Sequence, residues 1–212
     1  MSKPLNDVRK DYAKYRLLES EVLANPLAQL QAWLDEAKTS LPDDYNAMAL
    51  STVDASGVPH SRIVLLRGLD SGLVFYTNYT SDKGRELLAH PACSILFFWP
   101  ELERQVRVVC TAQKVDAAES DAYFASRPRE SRIGAWVSDQ SAPIATSEAL
   151  DEKFNEVAKR FEGVEVERPE HWGGFRLTPS RFEFWQGRPS RLHDRLVYTP
   201  SGDVWTLQRL QP

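Results

Sequence analysis

The sequence predicts a mainly β fold with flanking helices, an antiparallel barrel carrying its helices on the outside. At least seven segments have strand character and follow one another at short spacing. They do not alternate regularly with helices, which argues against a doubly wound parallel sheet. Internal repeats, low-complexity stretches and dividing linkers are all missing from the chain.

Residues 1–25 are polar, with Arg9, Lys10, Lys14 and Arg16 set among Tyr12, Tyr15 and Leu17, and read as a mobile or loosely docked helical arm. Residues 26–212 read as one domain, a length that suits a single core. "NPLAQLQAWLDEAKTSL" opens it as a helix: Asn25 can cap it and Pro26 suits its first turn. Leu27, Leu30, Trp33, Leu34 and Ala37 fall on one face. "AMALSTVD" and "PHSRIVLLRGLD" flank the turn "ASG" as a hairpin, and "GLVFYTN" follows as a third strand. "TSDKGRELLAH" reads as a short helix opened by Thr80 or Ser81. "CSILFFW" and "RQVRVVCTAQKV" are strands, and helices are expected over about 117–126 and 147–161. "GGFRLTPSRFEFW", "RLVYTP" and "DVWTLQRL" return the chain to strands, the last two turning at "SGD".

Composition narrows the function. Apolar residues make up 42% and charged residues 26%, as in a folded globular protein. The most apolar run, Ala92–Trp99, falls far short of the roughly 20 residues of a membrane helix. "MSKPLNDVRKDY" lacks the apolar core of a secretory signal, so a cytoplasmic location is expected, with no membrane partner. Cys93 and Cys110 sit in apolar strands and read as small buried hydrophobes. His60, His90, His171 and His193 are scattered without metal-ligand spacing, so no metal is expected. A net charge of −4 argues against nucleic acid as a partner. The cations are skewed, 18 Arg against 8 Lys, with no Lys beyond Lys159. That skew fits recognition of small anions by planar guanidinium groups, and it fits equally a GC-rich coding bias.

No glycine-rich phosphate loop and no G-x-S-x-G elbow occurs, so a bound phosphate would rest on strand side chains and a helix N-terminus. "SRIVLLR" places Arg62 and Arg67 at the ends of an apolar strand, either as anion ligands or as two solvated ends. "FYTNYTSDKGR" brings Lys83 and Arg85 to a helix start. "LERQVRVV" puts Gln105 and Arg107 on one face, Val106 and Val108 on the other. Tyr123, Arg127, Arg129, Ser131 and Arg132, on a helix end and loop, could converge with Gln140 and Ser141 on a second anion. In "EFWQGRPSRLHDR" an extended chain would carry Arg191, His193 and Arg195 on one face with Asp194 pointing away. His193, set among fixed cations, would stay neutral.

Together, "RIVLLR", "FYTN", "SDKGRELL", "FFWPELERQVRV", "YFASRPRESRIGAWVSDQS", "HWGGFRL", "EFWQGRPSRLHDR" and "RLQP" closely resemble the pyridoxine (pyridoxamine) 5′-phosphate oxidases, in order from about Val8 to Pro212. The resemblance implies an FMN-binding split barrel working as a homodimer, with FMN at the subunit interface. It implies FMN contacts from Arg62, Ile63, Val64, Leu65, Leu66, Arg67, Tyr76, Thr77, Lys83 and Gln105 of one subunit, and from Gln140, Ser141, Trp185 and Arg195 of the other. Substrate would meet Arg67, Tyr123, Arg127, Ser131, Arg191, Leu192 and His193, under an arm formed by Arg9, Lys10, Asp11 and Tyr12. The resemblance puts Arg191 and His193 at the catalytic positions.

The implied reaction converts pyridoxamine or pyridoxine 5′-phosphate to pyridoxal 5′-phosphate. O₂ is the electron acceptor, H₂O₂ a product, and NH₃ leaves when the substrate is the amine. Two positions depart from the family pattern: Arg67 stands where Lys is common, and Asp82 where many members carry a basic residue. Three alternatives share the barrel or the ligand: a flavin oxidase of phenazine biosynthesis, a non-enzymatic flavin- or haem-binding protein, and a pyridoxal phosphate carrier. The intact "SRPRESRIGAW" favours the vitamin B6 substrate over the first.

Overall fold

The computed structural model describes residues 11–212, so Arg9 and Lys10 lie outside the described residues. Its helices are α1 (Pro26–Ser40), α2 (Asp82–Ala89), α3 (Ala117–Ser126), α4 (Arg129–Val137) and α5 (Ser147–Arg160). Its strands are β1 (Ala47–Val53), β2 (Pro59–Leu65), β3 (Gly68–Leu69), β4 (Leu73–Asn78), β5 (Ala92–Trp99), β6 (Arg104–Lys114), β7 (Trp172–Gln186), β8 (Asp194–Ser201) and β9 (Val204–Leu210). The nine strands run in the order β2-β1-β5-β6-β7-β4-β3, with β8 on β7 and β9 on β8. The predicted mainly β, antiparallel class is what the strands form. No helix among the described residues is long and apolar enough to cross a membrane.

The chain divides into two compact units. The first holds the described residues up to Leu50, with Ser94–Cys110 and Pro179–Pro212. Its helix α1 starts as predicted: the Asn25 side chain accepts the N–H of Leu27 at 2.8 Å, and Pro26 fills the first turn. The apolar face of α1 buries Leu30, Trp33, Leu34 and Ala37. Trp33 meets the edges of Phe184 at 5.1 Å and Trp99 at 6.4 Å. The β8–β9 hairpin turns at Gly202 (φ 60°), and β7 pairs with β8 so that Trp185 faces Arg195 and Gln186 faces Asp194.

The second unit holds Ser51–Cys93 and Thr111–Thr178. Here β4 pairs with the start of β7, setting Tyr76 opposite Gly174, Thr77 opposite Gly173 and Asn78 opposite Trp172. Phe124, Ile133, Val137, Phe161, Val166 and Trp172 form a local core. Ser81 caps α2, its side chain accepting the Gly84 N–H at 3.3 Å.

Three expectations are corrected. Residues 11–25 form no helix. Their N–H groups go to distant carboxylates instead of to their own backbone: Ala13 and Lys14 to Glu103, Leu17 to Asp194. The basic stretch after Pro128 is the helix α4 rather than a loop; its start carries no side-chain cap, which hid it from a reading that looks for caps. Finally, Arg191, His193 and Arg195 do not alternate on an extended chain. Pro189–Arg191 is a 3₁₀ turn, Ser190 and Arg191 take left-handed φ values of 57° and 61°, and β8 begins only at Asp194. Asp194 does not point away: it is buried and gathers Arg188 at 3.1 Å and Arg209 at 2.6 Å.

Candidate active site

In the second unit, β2, β4, α2 and α4 supply the walls of a cavity of about 500 Å³. It is lined by Ile63, Val64, Leu65, Arg67, Tyr76, Thr77, Lys83, Tyr123, Arg127, Ser131 and Gln140, eleven of the residues singled out from sequence. The sequence reading missed Trp172, Asn78, Gly134, Ala135 and Ser138, which also line it.

One wall is a stack of aromatic rings. Tyr76 and Tyr123 lie 3.8 Å apart at 13°, and Trp172 lies 5.6 Å from Tyr76 at 12°. The stack needs Gly174, because a Cβ there would sit 2.8 Å from the Tyr76 ring and from Val115. Burial pushes the Tyr76 hydroxyl up to about 12, so it stays a neutral donor. The Arg127 guanidinium lies 4.5 Å over the Trp172 ring, held by cation–π attraction.

The polar wall is cationic and uncompensated. Arg127 Nη1 is buried without a hydrogen-bond partner. Burial lowers the pKa of Arg127, and Arg67 adds repulsion between like charges. Lys83 is lowered by burial first and by Arg62 second. Its Nζ donates to Gln140 Oε1 at 3.0 Å and Thr77 Oγ1 at 3.4 Å. The nearby carboxylates are engaged elsewhere, Asp82 with Arg85 at 2.6 Å and Glu86 with Arg62 at 3.1 Å. Among the described residues, Arg67, Lys83 and Arg127 have no carboxylate within ion-pair distance. An unpaired buried N–H beside a second guanidinium is an expensive arrangement unless an anion completes it. Phosphate, with several acceptor oxygens and about two negative charges, fits that donor set.

Other predicted residues stand apart from this cavity. Leu66 is buried. Arg62 faces a separate cavity of about 410 Å³ with Asp54, His60, Asp82, Arg85 and Glu86. There it donates to Thr52 and Glu86, and Thr52 in turn donates to Glu86. Asp82, the acid at an expected basic position, is exposed and turned to Arg85. Arg129 donates to the Val164 carbonyl at 3.0 Å and Arg132 pairs with Glu165, and neither lines the cavity that holds Arg67 and Arg127. Gln140 and Ser141, assigned by resemblance to the second subunit, stand on this chain's own residues. Gln140 meets Thr77 and Lys83, and Ser141 Oγ accepts the Asp82 N–H at 3.2 Å.

The remaining predicted residues belong to the first unit. Gln105 is half-buried on β6, and Asp11, Arg191 and Leu192 are exposed. His193 Nδ1 accepts the Arg188 N–H at 3.0 Å, so the ring is neutral with its proton on Nε2. Burial first, and Arg191 second, lower its pKa. The ring lies 4.7 Å from Trp185 and 5.8 Å from Tyr12, and Tyr12 meets Trp185 at 5.6 Å. Arg195 is held on the buried Glu183 at 2.8 Å.

Comparison with known proteins decides the family. Residues 34–161 match the pyridoxamine 5′-phosphate oxidase family. The chain belongs to it. Residues 172–212 match the pyridoxine 5′-phosphate oxidase C-terminal dimerisation region. A pyridoxine/pyridoxamine 5′-phosphate oxidase of Bordetella avium is 53% identical over 98% of this chain and 99% of its own. One from Pseudomonas paraeruginosa is 51% identical over all of both chains. Among solved structures, PhzG from Burkholderia lata, in complex with tetrahydrophenazine-1-carboxylic acid, superposes with a TM-score of 0.88 at 30% identity. It covers 95% of this chain and 100% of its own. An FMN-binding protein from Nostoc punctiforme, 19% identical over 90% of this chain and 100% of its own, shares the fold with a TM-score of 0.69.

Proposed function

We infer that this protein oxidises pyridoxamine 5′-phosphate and pyridoxine 5′-phosphate at the C4′ carbon to pyridoxal 5′-phosphate, working as an FMN-dependent homodimer. The observation that carries the substrate class is the pair of guanidinium groups, Arg67 and Arg127, without a counter-charge. Tyr123 and Ser131 line the same cavity and would complete a phosphate cradle with them. Arg67 replaces a common lysine with no loss of charge and with a planar fork suited to phosphate.

When bound, FMN supplies the hydride acceptor, and O₂ restores it while H₂O₂ forms. The residues that would hold it are Ile63–Leu65, Thr77, Lys83 and Gln140, with Arg62 behind them. Gln105 of the same subunit, with Trp185 and Arg195 of the other, would complete a site at the interface, as the resemblance assigns them. Lys83 would neutralise the cofactor phosphate. Neutral His193, with Nε2–H free to donate, and Arg191 would orient the substrate ring. A left-handed Arg191 between Pro189 and His193 turns its side chain out of the strand register, which suits a residue laid over a ligand. We place the enzyme in the cytoplasm.

Hydrogen peroxide production by the FMN-loaded protein tests the reading. Pyridoxamine and pyridoxine 5′-phosphates should both support turnover, and the unphosphorylated vitamers should be far poorer. A protein that binds FMN yet makes no peroxide from either phosphate ester is not this oxidase.

A further inference from the structure

Glu103 sits in the turn between β5 and β6, is 3% exposed, and takes a left-handed φ of 54°. A side chain with a Cβ adopts that conformation at a cost, and a buried carboxylate adds another. A plain turn needs neither, since glycine or asparagine would serve. The residue's contacts show what it is used for. Its Oε2 accepts the backbone N–H of Ala13 at 2.9 Å and of Lys14 at 3.0 Å. Its carbonyl accepts the Gly187 N–H at 2.8 Å and Gln186 Nε2 at 3.1 Å.

The two sets of bonds meet at Tyr12. A Cβ on Gly187 would come within 2.7 Å of Tyr12 Cβ and Cγ, so Tyr12 rests directly on that glycine. The Tyr12 ring then reaches Trp185 and His193 edge-on. Glu103 therefore fixes both the chain that leaves Tyr12 and the backbone beneath it. Its neighbours extend the clamp: Lys14 Nζ donates to the Glu101 carbonyl at 2.5 Å, and Arg104 lies 5.1 Å from the Tyr15 ring.

We propose that Glu103 is a positioning residue that latches residues 12–14 so that Tyr12 stands against His193 and Trp185 and covers the bound substrate. The proposal rests on the reading that His193 and Trp185 face substrate and FMN. Glu103 itself touches neither. Its carboxylate acts through two backbone N–H groups, as an anion held in a nest of amides acts.

Amide exchange, substrate and FMN affinities, and a double mutant test it on the full-length, FMN-loaded protein. In Glu103→Ala, amide hydrogen exchange at Ala13 and Lys14 should accelerate at least about tenfold, the signature of a segment released from its local bonds. KM for pyridoxamine 5′-phosphate should rise at least about tenfold, and the FMN dissociation constant should stay within about twofold. Combined with Tyr12→Ala, Glu103→Ala should add little further loss, since both remove one contact. If Glu103→Ala does not fold, Glu103→Gln carries the same tests with smaller effects, because the amide oxygen is a weaker acceptor. Unchanged exchange at both amides, or fully additive losses with Tyr12→Ala, would overturn the proposal. A wild-type protein without oxidase activity would count instead against the functional reading, which exchange measured without substrate keeps distinct.

Discussion

The arginines around the buried acids of the first unit and those lining the cavity of the second are used in opposite ways. The former are neutralised: buried Glu183 collects Arg195 at 2.8 Å, Arg181 at 3.3 Å and Arg107 at 3.7 Å. Asp194 and Glu19 share Arg209. In the cavity of the second unit, Arg67, Lys83 and Arg127 are left without a carboxylate partner among the described residues, and Arg127 keeps a buried N–H unpaired. Paired arginines set the shape of their surroundings, whereas unpaired ones hold a place for a ligand. The same residue type that hints at anion binding in a composition count thus divides into scaffold and site once its partners are known.

The sharpest way to break that contrast is to remove an acid from the paired set. Glu183→Ala strands three guanidinium groups around an apolar hole and should cost about 3 kcal/mol in urea unfolding, the lower end for a broken buried pair because the arginines reach solvent. Removing a cation from the unpaired set should do the reverse. Arg127→Ala should leave the unfolding midpoint unchanged or raised, yet raise KM for pyridoxamine 5′-phosphate about 10–100-fold, as charge-assisted hydrogen bonds are lost. An Arg127→Ala protein that is destabilised with KM unchanged would make Arg127 scaffold after all. Arg67→Lys keeps the charge and loses the fork, so its KM should change by less than about tenfold.

The smallest expected effect concerns pH. His193 is held below its ordinary 6.5 by burial first and Arg191 second. The folded state resists protonating it, so its contribution to stability is present above about pH 6.5 and is lost as pH falls through the folded-state pKa. Its NMR titration should have a midpoint below 6.5, and Arg191→Ala should move that midpoint up without restoring it fully, because burial remains. A midpoint at or above 6.5 in the unaltered protein would contradict the neutral ring.

The elements were largely legible because their signals are local. Asn25-Pro26 and Ser81 are caps written into the sequence, and "CSILFFW" is an apolar run of strand length. Cys93 and Cys110 are both buried, as small hydrophobes on apolar strands should be. Motif resemblance found eleven cavity residues, but spacing alone could not have joined Arg67 to Arg127. Trp172 was missed because its role depends on a strand pairing with β4 and on Arg127, distant in sequence. The Arg191–His193–Arg195 alternation failed because Ser190 and Arg191 are left-handed, which no propensity foretells for serine and arginine. All four non-glycine residues with positive φ among those described, Glu103, Ser141, Ser190 and Arg191, are predicted site residues or stand within two positions of one. Local rules are broken where a site has to be shaped.

The central claim is that uncompensated charge in the cavity selects a phosphorylated substrate. The direct test is kcat/KM for pyridoxamine 5′-phosphate relative to pyridoxamine, in the unaltered FMN-loaded protein and in Arg127→Ala. The unaltered protein should prefer the phosphate ester by about 10²–10⁴-fold, the sum expected of two charge-assisted contacts, and Arg127→Ala should erase about 10–100-fold of that preference. Equal efficiency on both substrates, or a preference that survives Arg127→Ala intact, would contradict it.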